Sequence, residues 1–344
     1  MLNMEEFQDY VRMNLADFLP EENRGASIKL NTVTKNNGLV LHGVTVMPEG
    51  TNVAPTIYLD DYFKHYTEGR DLDEIMDRIS IMISEHLKTP QEFSNIGRDF
   101  QNFDYVRDKI IMVAVNTEKN MQLLTEVPHT EIQDLSAVYK VYIGNTEDGH
   151  GTILIRNEHM KMWGVDVNEL HALAVENTRE LLPITVQSMT EVMREMFGGD
   201  GMPSEMEEAM FAEMPADQQM YVISNKQKIS GAASMFYEDV LSDLSERIGT
   251  DLYILPSSTH EVIAVSTNMG EPSYLAEMVQ EINAGQVAPE EQLSDHVYHF
   301  DAKSKELSLA DTTLEQVKAC VAENTENYTA SQTNTEGNRP RHRR

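Results

Sequence analysis

Apolar residues first recur at helical spacing: Phe7, Val11, Leu15 and Phe18 predict an amphipathic helix over residues 4–19. The period then shortens to two. Ala26–Thr34 and Leu39–Val46 alternate apolar with polar positions, and Lys35-Asn36-Asn37-Gly38 between them supplies the Asn-Gly pair that a tight hairpin needs. A short strand at Thr56–Leu59 precedes a helix starting near Asp71, with Leu72, Ile75, Met76, Ile79 and Ile83 as its core stripe. Lys109–Val115, Ala137–Ile143 and Gly151–Ile155 read as strands. A helix begins near Asp166, with Leu170, Leu173, Ala174 and Leu181 inward.

These two halves resemble each other. Thr56-Ile-Tyr-Leu59 parallels Thr152-Ile-Leu-Ile155, and Gly69-Arg-Asp-Leu-Asp-Glu-Ile75 parallels Gly164-Val-Asp-Val-Asn-Glu-Leu170. The shared acids are best explained as helix starts. Asp71 and Asp166 cap orphan amides of the first turn, and Glu74 and Glu169 stand where a carboxylate can reach back.

Residues 198–220 break the pattern: glycines open the segment, Pro203 and Pro215 punctuate it, and it holds no Lys or Arg. Beyond it the expected elements are a strand at Met220–Ser224 and a helix carrying Ala233, Phe236, Val240, Leu241, Leu244 and Ile248. A hairpin of Leu252–Leu255 with Glu261–Val265 follows. Next come a helix with Leu275, Met278, Val279 and Ile282, and a hairpin of Val297–Phe300 with Glu306–Leu309. The fold class is therefore α+β, with strand pairs packed by helices. We expect an N-terminal helix (1–24), two similar α+β modules (25–100 and 101–197), an acidic Met-rich linker (198–220), a C-terminal α/β module (221–322) and a disordered tail (323–344).

Charge narrows the function classes. The 344 residues carry 27 Lys and Arg against 57 Asp and Glu, a net charge of −30 that repels phosphate backbones. No nucleic-acid partner is expected. A single cysteine, Cys320, excludes an internal disulfide and a Cys-based zinc site; it falls in a short amphipathic terminal helix. No signal segment or membrane-length apolar run is apparent, so a cytoplasmic location is expected.

Several polar groups could carry chemistry. The densest is Leu255-Pro-Ser-Ser-Thr-His-Glu261, where Ser257 or Ser258 could be activated by His260. However, the G-x-S-x-G nucleophile elbow is missing, and no strand-to-helix step follows the serines. Ser257, Ser258, His260 and Glu261 are better read as binding residues at a hairpin turn. His296 and His299 have H-x-x-H spacing, but a strand would send them to opposite faces, which argues against a shared metal. Asp60, Asp61 and His65 could share a helical face as a surface contact. Of the 21 methionines, many fall within 189–220, including Met202, Met206, Met210 and Met214 spaced four apart. The segment reads first as a loosely packed linker helix; the alternative, because thioethers adapt to irregular surfaces, is a flexible hydrophobic face for a protein partner through 189–220. We expect no cofactor.

Asp251–Ile263, Met278–Tyr298 and Asn157–Val165 together resemble an uncharacterised family of bacterial, clostridial proteins known as a domain of unknown function. The similarity spans most of 25–309. It implies a bacterial cytosolic protein of accessory function and assigns no catalytic residue. The favoured expectation is a non-enzymatic binding or interaction protein. The alternatives are a hydrolase with a site assembled around the Ser257–His260 hairpin and an acidic DNA-mimic inhibitor.

Overall fold

The computed structural model describes residues 1–49, 54–87, 96–146, 149–197, 214–313 and 316. The chain divides into two compact units, Met1–Val106 and Arg107–Arg344. Both combine helices with antiparallel sheet, so the protein is α+β.

In the first unit, a helix spans Met4–Phe18 and starts from a capping box between Asn3 and Glu6. Its inward stripe, Phe7, Val11 and Leu15, is fully buried against Ile75, Met76, Ile79 and Ile83 of a second helix, Leu72–His86, and against strand residues Val44 and Val46. Each such side chain contributes about 1.5–3 kcal/mol on leaving water. Strands β1 (Ser27–Thr34), β2 (Val40–Met47) and β3 (Thr56–Tyr58) form one antiparallel sheet in that order. The β1–β2 turn places Asn37 at φ 59° and Gly38 at φ 71°, the conformations an Asn-Gly turn supplies.

The second unit contains two sheets. β4 (Ile110–Asn116) pairs with β6 (Leu135–Thr146), whose other edge takes up β5 (His129–Ile132) and β7 (Gly149–Leu154). Every residue of β4 is buried, although among the described residues it has a sheet partner on one side only. The helix Val167–Leu181 completes the other side: Thr178 Oγ1 accepts from Met112 N–H at 3.0 Å, and Asn177 Nδ2 donates to the carbonyls of Arg107 and Ile110. Buried backbone groups must be paired. Asn177 and Thr178 are thus buried polar positions on a helix face that the sequence pattern marks only by its leucines.

The internal similarity is built as one supersecondary unit made twice. β3 and β7 each lie antiparallel beside the preceding long strand. Each is followed by a buried apolar residue, Leu59 or Ile155, whose N–H donates to a neighbouring strand carbonyl, of His42 or Tyr139. Short helices follow, Asp60–Thr67 and Asn157–Trp163, then Gly69 at φ 97° and Gly164 at φ 72° reverse the chain where a side chain would be strained. Asp71 and Asp166 then cap the next helices, accepting from backbone N–H groups of their first turns. Glu74 differs from the expected back-reaching role: its carboxylate lies beside Arg70 and Arg78, at 3.5 and 3.7 Å.

The second sheet has the order β13-β12-β10-β11-β9-β8 and is antiparallel throughout. Its strands are β8 (Ile184–Ser188), β9 (Tyr221–Asn225), β10 (Leu252–Leu255), β11 (Val262–Ser266), β12 (Tyr298–Asp301) and β13 (Glu306–Leu309). β8, within the stretch assigned from sequence to the second module, pairs with β9 on the far side of the Met-rich segment. The stretch expected as one helix from Ala233 is a 3-10 segment, Gly231–Phe236, followed by a helix, Glu238–Ile248. Met202, Met206 and Met210, Cys320 with its expected helix, and the expected disordered tail fall outside the described residues. No helix among the described residues is long and apolar enough to cross a membrane.

Candidate binding cleft

The helix Pro272–Gly285 crosses one face of the second sheet and buries Leu275, Ala276 and Val279 against Leu255, Val265 and Val297. Pro272 at its first turn needs no amide partner there and presets the helical φ. The contact does not close along its whole length. A cleft of about 220 Å3 remains between Ile263 and Val265 of β11, Met220 ahead of β9, and Met269, Met278 and Ile282. Ser257 also lines it. Tyr274 is 62% exposed and Ile282 42% exposed, so large apolar side chains stand at the opening.

Ser257 belongs to the turn singled out from sequence, and that turn is tied to three separate segments. The Pro256 and Ser257 carbonyls accept from Ser294 and Leu293 N–H, and Thr259 N–H donates to the Glu291 carbonyl. Thr259 in turn accepts from Ala232 N–H, and the His260 carbonyl accepts from Ser224 Oγ at 2.7 Å. Ser258 Oγ accepts from His260 N–H at 3.1 Å, an internal turn bond. The His260 ring lies between Ser230 and Glu291. Its Nδ1 accepts from Ser230 N–H at 3.3 Å, which leaves the proton on Nε2, 3.3 Å from the Glu291 carboxylate. Both ring nitrogens are thereby engaged away from the serine hydroxyls. Glu261, half-buried, leads into β11. Of the four candidate residues, Ser257 lines the cleft, whereas Ser258 and His260 hold the turn that presents it.

The other polar candidates pair separately. His296 Nδ1 meets Asp311 at 2.9 Å, and His299 Nε2 meets Asp251 at 3.3 Å. The hydrogen bond to Asp311 raises the His296 imidazole above its ordinary value, against the opposing effect of burial. Asp60 turns across to His42, accepting from its N–H at 2.8 Å and pairing with its ring at 2.9 Å, instead of joining His65. Among the described residues, no group of three or more His, Cys, Asp and Glu is placed to hold a metal ion.

Sequence patterning missed a buried acid. Asp134 lies in the β5–β6 turn and is 7% exposed. It accepts from Ser294 Oγ at 2.8 Å and from the fully buried Tyr298 hydroxyl. Burial, reinforced by the Asp134 charge, pushes the Tyr298 hydroxyl well above its ordinary range. This network ties the two sheets of the second unit; Asp134 stands 160 and 164 residues from its two partners, which hides it from any local pattern.

These features define an α+β protein of antiparallel sheets that carries an apolar cleft beside a hydrogen-bonded turn. The chain belongs to a family described as "Family of unknown function (DUF5688)", which matches residues 4–302 and therefore includes both walls of the cleft. No curated protein and no solved structure matches it.

Proposed function

We propose that this chain is a non-enzymatic binding protein whose cleft receives an apolar side chain of a protein partner. The cleft itself carries this reading. Its volume, about 220 Å3, is below the roughly 300–1,000 Å3 of pockets for drug-sized molecules. It exceeds the ~150 Å3 in which a dry apolar cavity holds benzene. One side chain of the size of Leu, Met or Phe fits that space, and burying it contributes about 1.5–3 kcal/mol, the scale of a central anchor in a protein interface. Three methionines in the lining can re-pack around different shapes. One of them, Met220, ends the 189–220 segment, for which a partner contact is the alternative reading of the sequence. Met196, Phe197 and Met214 are further exposed apolar residues of that segment.

Methyl NMR of protein labelled at the methionine methyls tests this reading, with toluene as the probe. The Met220, Met269 and Met278 signals are expected to shift saturably, and the exposed-site variant Ile282→Glu to weaken the effect while leaving the melting curve unchanged. Shifts scattered over other methionines, with these three unmoved, overturn the reading.

A further inference from the structure

From the charge around the same cleft we propose a partner class: a cationic amphipathic peptide segment, with Lys or Arg flanking an apolar anchor. This inference rests on the binding reading above and adds the chemistry of the ligand.

The apolar lining alone would accept any hydrophobic group. Its surroundings are more selective. Between Arg247 and Lys303 the sequence contains no Lys or Arg, and this stretch supplies all of the cleft except Met220. Helix Pro272–Gly285 carries exposed Glu277 and Glu281, with Glu271 exposed at its N-cap. Residues three and four apart are neighbours on a helix. Glu281 therefore flanks Met278, and Glu271 continues the row of Tyr274, Leu275 and Met278 beyond the helix start. Glu261 immediately precedes β11, two residues before Ile263 on the strand that floors the cleft. Exposed carboxylates thus run along the helix that walls the apolar opening, and one more precedes its strand floor. Tyr253, packed against the same cluster, registers this field: burial raises its hydroxyl, and the Glu271 and Asp251 charges raise it further.

A cationic segment neutralises these acids while its apolar face enters the cleft, the pairing of methionine surface with basic amphipathic helix that adaptable peptide receptors use. An acidic segment with the same apolar residues meets repulsion. A neutral small molecule gains nothing from the rim.

The test uses the full chain with labelled methionine methyls and two peptides, one of alternating Leu and Lys in a helical amphipathic pattern and one with Glu in place of Lys. The Lys peptide is expected to shift Met220, Met269 and Met278 and to bind roughly tenfold or more tightly than the Glu peptide at low ionic strength. The difference should shrink as salt shortens the Debye length from ~10 Å at 0.1 M. Converting Glu271, Glu277 and Glu281 together to Gln should remove most of it and leave toluene binding unchanged. Equal affinity for both peptides, or a preference that survives the triple Gln variant, overturns the proposal. In that case toluene shifts at the three methyls still uphold the binding reading, whereas their failure ends both. A chain truncated after Thr313 is run in parallel. If it binds the Lys peptide and the full chain does not, the occupant is the chain's own Arg339-Pro-Arg-His-Arg-Arg end, and a separate partner is refuted.

Discussion

Gly231 sits where the 3-10 segment passes beneath the 256–261 turn, and its missing side chain is what allows the approach. A Cβ built there would lie 2.3 Å from Ser224 Oγ, 2.5 Å from the His260 carbonyl oxygen and 2.9 Å from Asn225 N. All three distances are below ordinary van der Waals contact, and two of the atoms are backbone that cannot rotate aside. Gly231→Ala must therefore displace either β9 or the turn. Overpacking of this kind costs about 1–3 kcal/mol. Losing the Ser224 Oγ to His260 carbonyl hydrogen bond adds about 0.5–1.5 kcal/mol. The sum, about 1.5–4.5 kcal/mol, corresponds to a fall in melting temperature of roughly 3–18 °C for a unit of this size. Thermal unfolding followed by circular dichroism measures it. A second comparison isolates the backbone contribution. In a Ser224→Ala background the nearest atom is gone, yet the His260 oxygen and Asn225 nitrogen remain, so Gly231→Ala should still lower the melting temperature by several degrees, in keeping with the remaining overpacking. A variant melting within about 1 °C of wild type, or one fully rescued by Ser224→Ala, would show that backbone does not limit this contact.

Two further outcomes follow from the polar network of the second unit. Tyr298→Phe removes one of the hydroxyl donors to buried Asp134; hydrogen bonds to charged groups are worth about 1.5–3 kcal/mol, so the melting temperature should fall by roughly 3–12 °C, and an unchanged transition refutes the pairing. The His296–Asp311 pair should make stability depend on pH. His296 is raised above 6.5 by its bond to Asp311, so its contribution is full below that value and disappears as pH rises through the folded value. For Asp311, burial pushes upward, but the bonds from His296 and Val297 N–H outweigh it and hold the carboxyl below 3.8. Its contribution is present above that value and is lost as pH falls through the folded one. The melting-temperature gap between wild type and Asp311→Asn should therefore be widest between about pH 4 and 6.5 and narrow on the alkaline side; a gap constant from pH 5 to 9 contradicts it.

The candidate site was legible in part. The 255–261 turn stands out because its polar residues interrupt two apolar strands, and Ser257 does line the cleft. The roles of its neighbours were not legible. Ser230 and Glu291, the partners of His260, lie 30 and 31 residues away, and no spacing within the turn announces them. The cleft is equally hidden, since its walls come from segments each of which reads as ordinary core. Asp60 shows the same limit: its neighbours along the helix suggested His65, whereas sheet packing delivers His42.

What the sequence determined by itself was local. Asn37-Gly38 made the first hairpin turn, Asp71 and Asp166 started their helices, and the alternating runs became β10 with β11 and β12 with β13, because turn, cap and amphipathic preferences act over a few residues. Tertiary structure decided which distant pieces complete one another. β8 joined β9, Thr178 and Asn177 closed the open side of β4, Asn116 reached Leu293 across 177 residues, and Asp134 met Tyr298 across 164. The reason is physical: a buried backbone edge or carboxylate must find a partner wherever the packed chain brings one, and nothing in the surrounding residues specifies where that will be.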